Sequence, residues 1–119
     1  VLTGTYLSQM KEYQAEQLRP ELDGLKARLA QLTEIYEQLV PAVADTKDND
    51  YIDFQARRLV ECAGHILLGY LLLLDANRNY ETFIRSAETY IAYGEAEVHK
   101  IQRFIQNFNP ANLGFYKQV

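Results

Sequence analysis

The stretch from Glu61 to Asp75 constrains the fold of this chain most strongly. The thirteen residues between these two acids include no Asp, Glu, Lys or Arg. The stretch has no proline that would end a helix, and it is shorter than the roughly 20 apolar residues that a helix needs to cross a bilayer. We therefore predict the second half of a central helix that other helices cover on every side, including at Leu67, Leu71 and Leu74.

The composition is that of a globular domain that folds without disulfides. The chain has 119 residues, of which 48% are apolar and 24% are charged, and its net charge is −4. This is enough to build one hydrophobic core. The basic residues are scattered, with Arg57 and Arg58 the only adjacent pair, so nucleic acid is not an expected partner.

The single cysteine, Cys62, lies inside the apolar helix. We expect it to pack as a small hydrophobic residue, and one unpaired cysteine fits a reducing, cytoplasmic location. The sequence begins at Val1 without an initiator methionine and shows no signal peptide. We expect it to be a fragment of a longer protein.

Two further segments repeat apolar residues in alternating steps of three and four, which predicts helices with one buried stripe each. The first stripe consists of Leu22, Leu25, Leu29, Leu32, Tyr36, Leu39 and Val43. The second consists of Tyr80, Ile84, Ala87, Ile91, Gly94, Val98, Ile101, Ile105 and Phe108. A short polar connection near Asn77 should make the last two helices antiparallel neighbours.

Prolines and capping residues indicate where the helices begin and end. Pro20 suits the first turn of a helix, and Pro41 should kink or end one. Asp48, Asn49 or Asp50 can cap the third helix. The prediction is an all-α fold, an antiparallel bundle of three to four helices with a long central helical hairpin, in a single domain over 1–119. We expect helices at about 5–19, 20–44, 50–76 and 79–108, and a tail at 109–119 that docks through Leu113, Phe115 and Tyr116.

Two glycines, Gly64 and Gly69, lie inside the apolar helix. Each lowers helix stability by about 1 kcal/mol relative to alanine. We expect both to be present because a neighbouring helix approaches closely there.

The candidate metal ligands are Glu61 with His65 and Glu95 with His99, because each pair is four residues apart on one helix face. The two glutamates would lie at a similar height if the hairpin turns near Asn77. The di-iron carboxylate pattern, however, needs Glu and His three apart on each of two helices, together with two further glutamates. We therefore assign no metal ligand and expect helix-surface pairs and a core histidine with a hydrogen-bond partner. A metal-carboxylate bundle is the least favoured hypothesis.

No other motif indicates catalysis. Neither Ser8 nor Ser86 lies in a nucleophile motif, and the chain has no phosphate-binding glycine loop or dinucleotide fingerprint. The nine tyrosines are expected to be core and interface residues, with the hydroxyls of Tyr70, Tyr90 and Tyr93 at the rim of the bundle. The sequence predicts no catalytic and no cofactor-binding residue.

The run from Cys62 to Ile105 resembles the helical extension at the C-terminus of bacterial acyl-CoA dehydrogenase homologues. The residues that carry the resemblance are I-L-L-G-Y-L-L-L, a short polar connection, and a helix with S-A-E-x-Y-I-x-Y-G-E-A-E-V. The first helices match only in character.

The resemblance implies a non-catalytic appendage of a flavoprotein. In such dehydrogenases the preceding domains bind FAD and the acyl-CoA thioester, and a glutamate there removes the α-proton while hydride passes to the flavin. This chain has no residue that matches that glutamate and no FAD fingerprint, so FAD is expected only in catalytic domains outside it. The expected partners are those catalytic domains and further subunits of a homo-oligomer. Contact with a membrane is a further possibility that no residue supports.

An independent interaction module is the alternative hypothesis. Matched apolar stripes and abundant tyrosine are also typical of a helical bundle that forms a homodimer through an apolar face. The two hypotheses differ in whether a flavoprotein domain precedes this chain.

Overall fold

The computed structural model describes residues 2–108, with side chains from residue 5 onward. In this part of the chain four α-helices and one 3₁₀ turn follow one another, and no strand is present. They are α1 (Leu2–Ala15), the 3₁₀ turn (Pro20–Leu22), α2 (Asp23–Ala44), α3 (Asn49–Arg78) and α4 (Tyr80–Asn107). The predicted all-α bundle with a long hairpin, formed by α3 and α4, is confirmed. The predicted tail at 109–119 lies outside the described residues.

The boundaries of α1 differ from the prediction. The helix begins at Leu2 and ends at Ala15 rather than spanning 5–19. Pro20 keeps the helix from including Arg19, because the residue before a proline is pushed out of the helical region. Arg19 accordingly has extended dihedrals, φ −62° and ψ 148°, and Pro20 opens the 3₁₀ turn that leads into α2.

The prediction that Pro41 kinks or ends the second helix is wrong as to the end, whereas the predicted range of 20–44 ends at the observed residue. Helix α2 continues to Ala44, and the backbone N–H of Asp45 donates to the carbonyl oxygen of Pro41 at 2.7 Å. Proline lacks a donor but keeps its acceptor. In the last turn of a helix it therefore removes one hydrogen bond without stopping the next ones.

Side chains cap α3 and α4 at their N-termini. Asp48 Oδ1 accepts hydrogen bonds from the backbone N–H groups of Asp50 and Tyr51 at 3.1 and 3.2 Å. Asn79 Oδ1 accepts from the N–H of Thr82 at 3.4 Å. Asp48 is thus the cap among the three predicted candidates.

The stripes of α2 and α4 form the core together with the buried residues of α3. All seven apolar residues of the first stripe are buried, with Leu22 in the 3₁₀ turn and the others on α2. The α4 stripe is buried from Ala87 to Ile105 and half-buried at its two ends. The periodicity of the sequence therefore identified the inner faces of both helices.

The prediction that α3 is covered on every side is wrong for one face. Helices α1, α2 and α4 pack against α3, but Val60, Leu68 and Leu71 remain 38%, 43% and 44% exposed. Leu67 and Leu74 are half-buried. Three neighbouring helices enclose only part of the circumference of a fourth, which leaves this face open in residues 2–108.

The two glycines of α3 have different surroundings. A Cβ atom built at Gly69 would lie 2.7 Å from Leu29 Cδ2 and 3.5 Å from Ile91 Cγ1, which confirms the predicted close approach at this position. A Cβ at Gly64 would meet nothing within 4 Å. The predicted contact of Gly64 with a neighbouring helix is therefore absent from residues 2–108.

Helix α3 meets the length and composition of a membrane-crossing helix, although its charge-free stretch alone was expected to fall short. Within its most apolar 18-residue window, 44% of the residues are buried in the bundle. Core helices of soluble proteins pass the same test, so this property is weak evidence for a membrane span.

Candidate functional site

Glu95 is engaged in an ion pair that joins α4 to α2. The guanidinium of Arg28 donates from Nη2 to Glu95 Oε1 at 2.6 Å and from Nε to Glu95 Oε2 at 3.0 Å. This bidentate geometry is the strong form of an arginine–carboxylate contact. Glu95 therefore faces α2 and has a structural partner rather than a metal ligand set.

The ion pair changes the acidity of both groups. The hydrogen bonds from Arg28 lower the pKa of Glu95 below its usual range, although partial burial opposes the shift. The same hydrogen bonds raise the pKa of Arg28. A carboxylate held ionised in this way is a poor general base at neutral pH.

His65 lies in an aromatic cluster between α3 and α4. Its Nδ1 is 3.2 Å from the hydroxyl oxygen of Tyr90. Its ring packs edge to face against the ring of Tyr93, with the two ring centroids 5.7 Å apart. A Cβ added at Gly94 would lie 3.7 Å from His65 Cβ, an ordinary van der Waals contact, so this approach does not require a glycine. His65 thus has the hydrogen-bond partner that was expected, and the partner is a tyrosine.

The structure does not bring the predicted candidate ligands together. Glu61 is exposed and lines a shallow groove with Arg58, Lys100 and Phe104. His99 is exposed, with its Nδ1 3.3 Å from Gln102 Oε1. Over residues 2–108, no three His, Cys, Asp or Glu side chains are grouped as a metal site requires.

The buried thiol of Cys62 is not poised as a nucleophile. Its side chain is fully buried among core residues, as predicted, and burial raises its pKa to about 12. A cysteine reacts as the thiolate, so this residue is inert in the folded state. Tyr36, also fully buried, has its pKa raised to about 12 by burial.

The expectation that the hydroxyl of Tyr70 reaches the rim is wrong. Tyr70 is 1% exposed, and its hydroxyl lies 2.8 Å from Thr33 Oγ1, inside the bundle. Thr33 also donates to the carbonyl oxygen of Leu29 at 2.9 Å. Tyr93 is exposed and Tyr90 is half-buried, which fits the expectation for these two tyrosines.

The grooves on the surface are shallow. One, of about 210 Å³, lies among α2, α3 and α4 and is lined by Ile35, Leu39, Tyr51 and Ile105. Its lining is mostly apolar and contains no Asp, Glu, His, Lys or Arg. Its residues can contact an apolar side chain, and Tyr51 is the lining residue that carries a hydroxyl.

The model of the family described as "Acyl-CoA dehydrogenase C terminal" matches residues 2–113 of this chain. The match spans every helix of the bundle, including the first helices, which resembled the family only in character. The chain belongs to this family.

A solved structure supports the same assignment for this acyl-CoA dehydrogenase C-terminal domain. The crystal structure of the acyl-CoA dehydrogenase family protein from Porphyromonas gingivalis has a TM-score of 0.85 and 44% sequence identity. The alignment covers 92% of this chain and 94% of that chain. A search among curated proteins found no match.

Two features of this C-terminal domain were not found from the sequence. The Arg28–Glu95 pair joins residues 67 apart, and only the register between α2 and α4 reveals it. Gln55 is fully buried, and neither amide atom has a hydrogen-bond partner in the described part of the chain. A glutamine between apolar residues of a helix gives no signal of such burial.

Proposed function

We propose that this chain is the non-catalytic C-terminal helical domain of a FAD-dependent acyl-CoA dehydrogenase. In that enzyme it packs on the catalytic core, joins subunits, or does both. The observation that carries the proposal is the family match over residues 2–113.

The geometry of the described residues supports a scaffolding role. The chemically competent side chains are committed to structure, with Glu95 held by Arg28, His65 held by Tyr90 and Cys62 buried. FAD and the acyl-CoA thioester would then bind in the catalytic domains, which carry out fatty acyl-CoA oxidation. A cytoplasmic location is part of the proposal because Cys62 has no disulfide partner in this chain.

The test is to express the full reading frame that contains this chain and to measure bound flavin and acyl-CoA oxidation. We expect flavin in the full-length protein and none in the isolated domain. Removing residues 1–119 should change the assembly state or the thermal midpoint while leaving bound flavin in place. A reading frame without a flavoprotein domain, or a full-length protein without flavin, would contradict the proposal.

Two conservative variants of the full-length enzyme provide the matched control. Glu61→Gln and Glu95→Gln each remove a carboxylate from this domain without a large change in volume. Both variants should retain the wild-type kcat, since the catalytic glutamate belongs to another domain. Loss of acyl-CoA oxidation in either one, with flavin still bound, would place chemistry in this domain.

The second candidate is an independent dimerisation module, which the exposed apolar face of α3 favours. Val60, Leu68 and Leu71 lie on this face, and contiguous exposed apolar patches mark interaction sites. The same expression experiment separates the candidates, because an independent module would have no flavoprotein domain in its reading frame.

A further inference from the structure

One face of α3 is exposed along most of the helix and has a regular composition. Its residues follow one another in steps of three and four and are here called the α3 stripe: Asp53, Arg57, Val60, Gly64, Leu68, Leu71, Asp75 and Arg78. All are exposed except Asp75, which is half-buried. Three of the four large hydrophobic residues recorded as exposed in the described part of the chain belong to this stripe.

Gly64 lies near the middle of the α3 stripe and faces outward. A Cβ there would meet nothing within 4 Å, so no contact within residues 2–108 requires a glycine. Yet glycine in a helix interior lowers stability by about 1 kcal/mol relative to alanine. An outward glycine between apolar residues lets the backbone of a helix from another molecule approach closely, as small residues do in tight helix pairs.

The α3 stripe is complementary to a second copy of itself that runs antiparallel to it. In an antiparallel pair of α3 helices related by a two-fold axis, Asp53 lies opposite Arg78 and Arg57 lies opposite Asp75. Nearer the axis, Val60 lies opposite Leu71 and Gly64 lies opposite Leu68. Each acidic side chain therefore lies opposite a basic one, Val60 lies opposite an apolar residue, and each glycine leaves space for the leucine opposite it.

From this complementarity we propose that the α3 stripe is a homotypic interface, in which two copies of this domain pair through antiparallel α3 helices. The contact is isologous, so each opposed pair occurs twice. Neither Asp53 nor Arg57 has an ion pair within residues 2–108, and Asp75 pairs only with Arg78 on its own helix. Asp53 and Arg57 are therefore available to a second copy, and Asp75 and Arg78 would exchange the contact between them for contacts with that copy.

The dimensions of the domain suit this contact. At 1.5 Å per residue, the stripe from Asp53 to Arg78 is about 38 Å long, and the molecule itself is 50 Å in its longest dimension. A stable interface buries roughly 800 Å² per partner, which a helix pair of this length approaches with its flanking residues. Tyr93, 54% exposed and in contact with His65, extends the surface onto α4.

This inference rests on the proposed assembly role and names the surface that performs it. Its test uses only the 119-residue chain. The dimerisation test can therefore fail while the flavin experiment on the full reading frame succeeds. A failure of this inference can thus be distinguished from a failure of the proposed function.

The first experiment is a charge reversal followed by rescue, with the dissociation constant of the dimer measured by sedimentation equilibrium. Arg57→Asp places an acid opposite Asp75 twice in each dimer, and should weaken association by at least about tenfold. The double variant Arg57→Asp with Asp75→Arg restores both pairs and should return to within about threefold of the wild type. The two positions are about 27 Å apart along one helix, so the rescue can only occur between molecules.

The matched control is Arg103→Asp, which makes the same charge change at an exposed position of α4 outside the stripe. It should leave the dissociation constant unchanged, and circular dichroism should show native helix content in all variants. A monomeric wild type at every concentration overturns the proposal, as does a double variant no tighter than Arg57→Asp. Either result is also the one expected if catalytic domains, a membrane or residues 109–119 cover this face instead.

A second experiment tests the register directly by cross-linking. In the variant Gly64→Cys with Leu68→Cys, the two introduced cysteines face each other across the two-fold axis, and mild oxidation should give a covalent dimer. Ala92→Cys with Ala96→Cys has the same spacing on an exposed face of α4 and should give no covalent dimer under the same conditions. Equal cross-linking of both variants, or no cross-linking of Gly64→Cys with Leu68→Cys, would contradict the proposed register.

Discussion

At the scale of single residues, Gly64 and Gly69 show how position determines the effect of one residue type. They are five positions apart in α3, yet Gly69 is packed against Leu29 while Gly64 faces open space. We expect Gly64→Ala to raise the free energy of unfolding by about 1 kcal/mol, because it gains helix propensity and meets no neighbour. Gly69→Ala should give no such gain, since overpacking a core costs about 1–3 kcal/mol.

Urea denaturation at low protein concentration, where the chain is monomeric, measures both changes. The two variants are matched controls for each other, because they share a helix and a substitution. Equal stabilisation of the two would mean that the packing at Gly69 is looser than the structure shows.

The Arg28–Glu95 pair predicts a dependence of stability on pH. The pair lowers the pKa of Glu95 in the folded state, so the unfolded chain binds a proton at higher pH than the folded one does. The contribution is therefore fully present above about pH 5, and is lost as pH falls through the lowered pKa. Both side chains are partly exposed, so we expect about 1 kcal/mol or less.

Glu95→Gln tests this dependence, because it removes the titrating carboxylate and keeps the shape. Urea denaturation between neutral and acidic pH should show that the difference in unfolding free energy between wild type and variant shrinks as the pH falls. Glu12→Gln, at an exposed position of α1, serves as the control and should lose stability with pH as the wild type does. A difference that is constant with pH would argue against the ion pair in solution.

At the scale of the helices, the hydrogen bond between Tyr70 and Thr33 links α3 to α2 inside the core. Tyr70→Phe removes the hydroxyl, while Thr33 keeps its hydrogen bond to Leu29. The net contribution of a buried hydrogen bond is about 0.5–1.5 kcal/mol, and we expect a loss of this size in the free energy of unfolding. Tyr93→Phe, at an exposed position, should change stability by less than about 0.5 kcal/mol.

The sequence predicted the buried face of those helices whose apolar residues all lie on one side. The alternating steps of α2 and α4 distinguish an inner face from an outer one, and the residues on those stripes are buried. The second half of α3, between Glu61 and Asp75, is apolar around most of its circumference, so its sequence does not indicate which face lacks a neighbour. Its exposed Leu68 and Leu71 became visible only when three neighbours were placed around it.

At the candidate site, too, the sequence indicated pairs of residues on one helix but not the contacts between helices. The pairs Glu61–His65 and Glu95–His99 could be found because they lie on single helices. Their partners depend on how helices align. Glu95 faces Arg28 on α2, and His65 faces Tyr90 on α4, and neither contact follows from local spacing.

At the scale of the whole molecule, the described residues 2–108 form a bundle with an exposed apolar face on α3. We propose that the bundle serves as a scaffold and that the α3 stripe is its surface for association. In a dehydrogenase, such a domain would affect assembly and stability while the flavin chemistry takes place elsewhere. The account's central claim, which we propose, is that this domain folds as a scaffold and binds no ligand of its own.

The most direct test of that claim is the thermal midpoint of the isolated chain, measured alone and with saturating FAD, acyl-CoA, Fe²⁺, Mn²⁺ or Zn²⁺. A ligand that binds only the folded state raises stability, by about 2.7 kcal/mol at a hundred times its dissociation constant. We predict a cooperative transition whose midpoint none of these ligands moves. A midpoint that rises with any one of them would show a binding site in this domain and contradict the account.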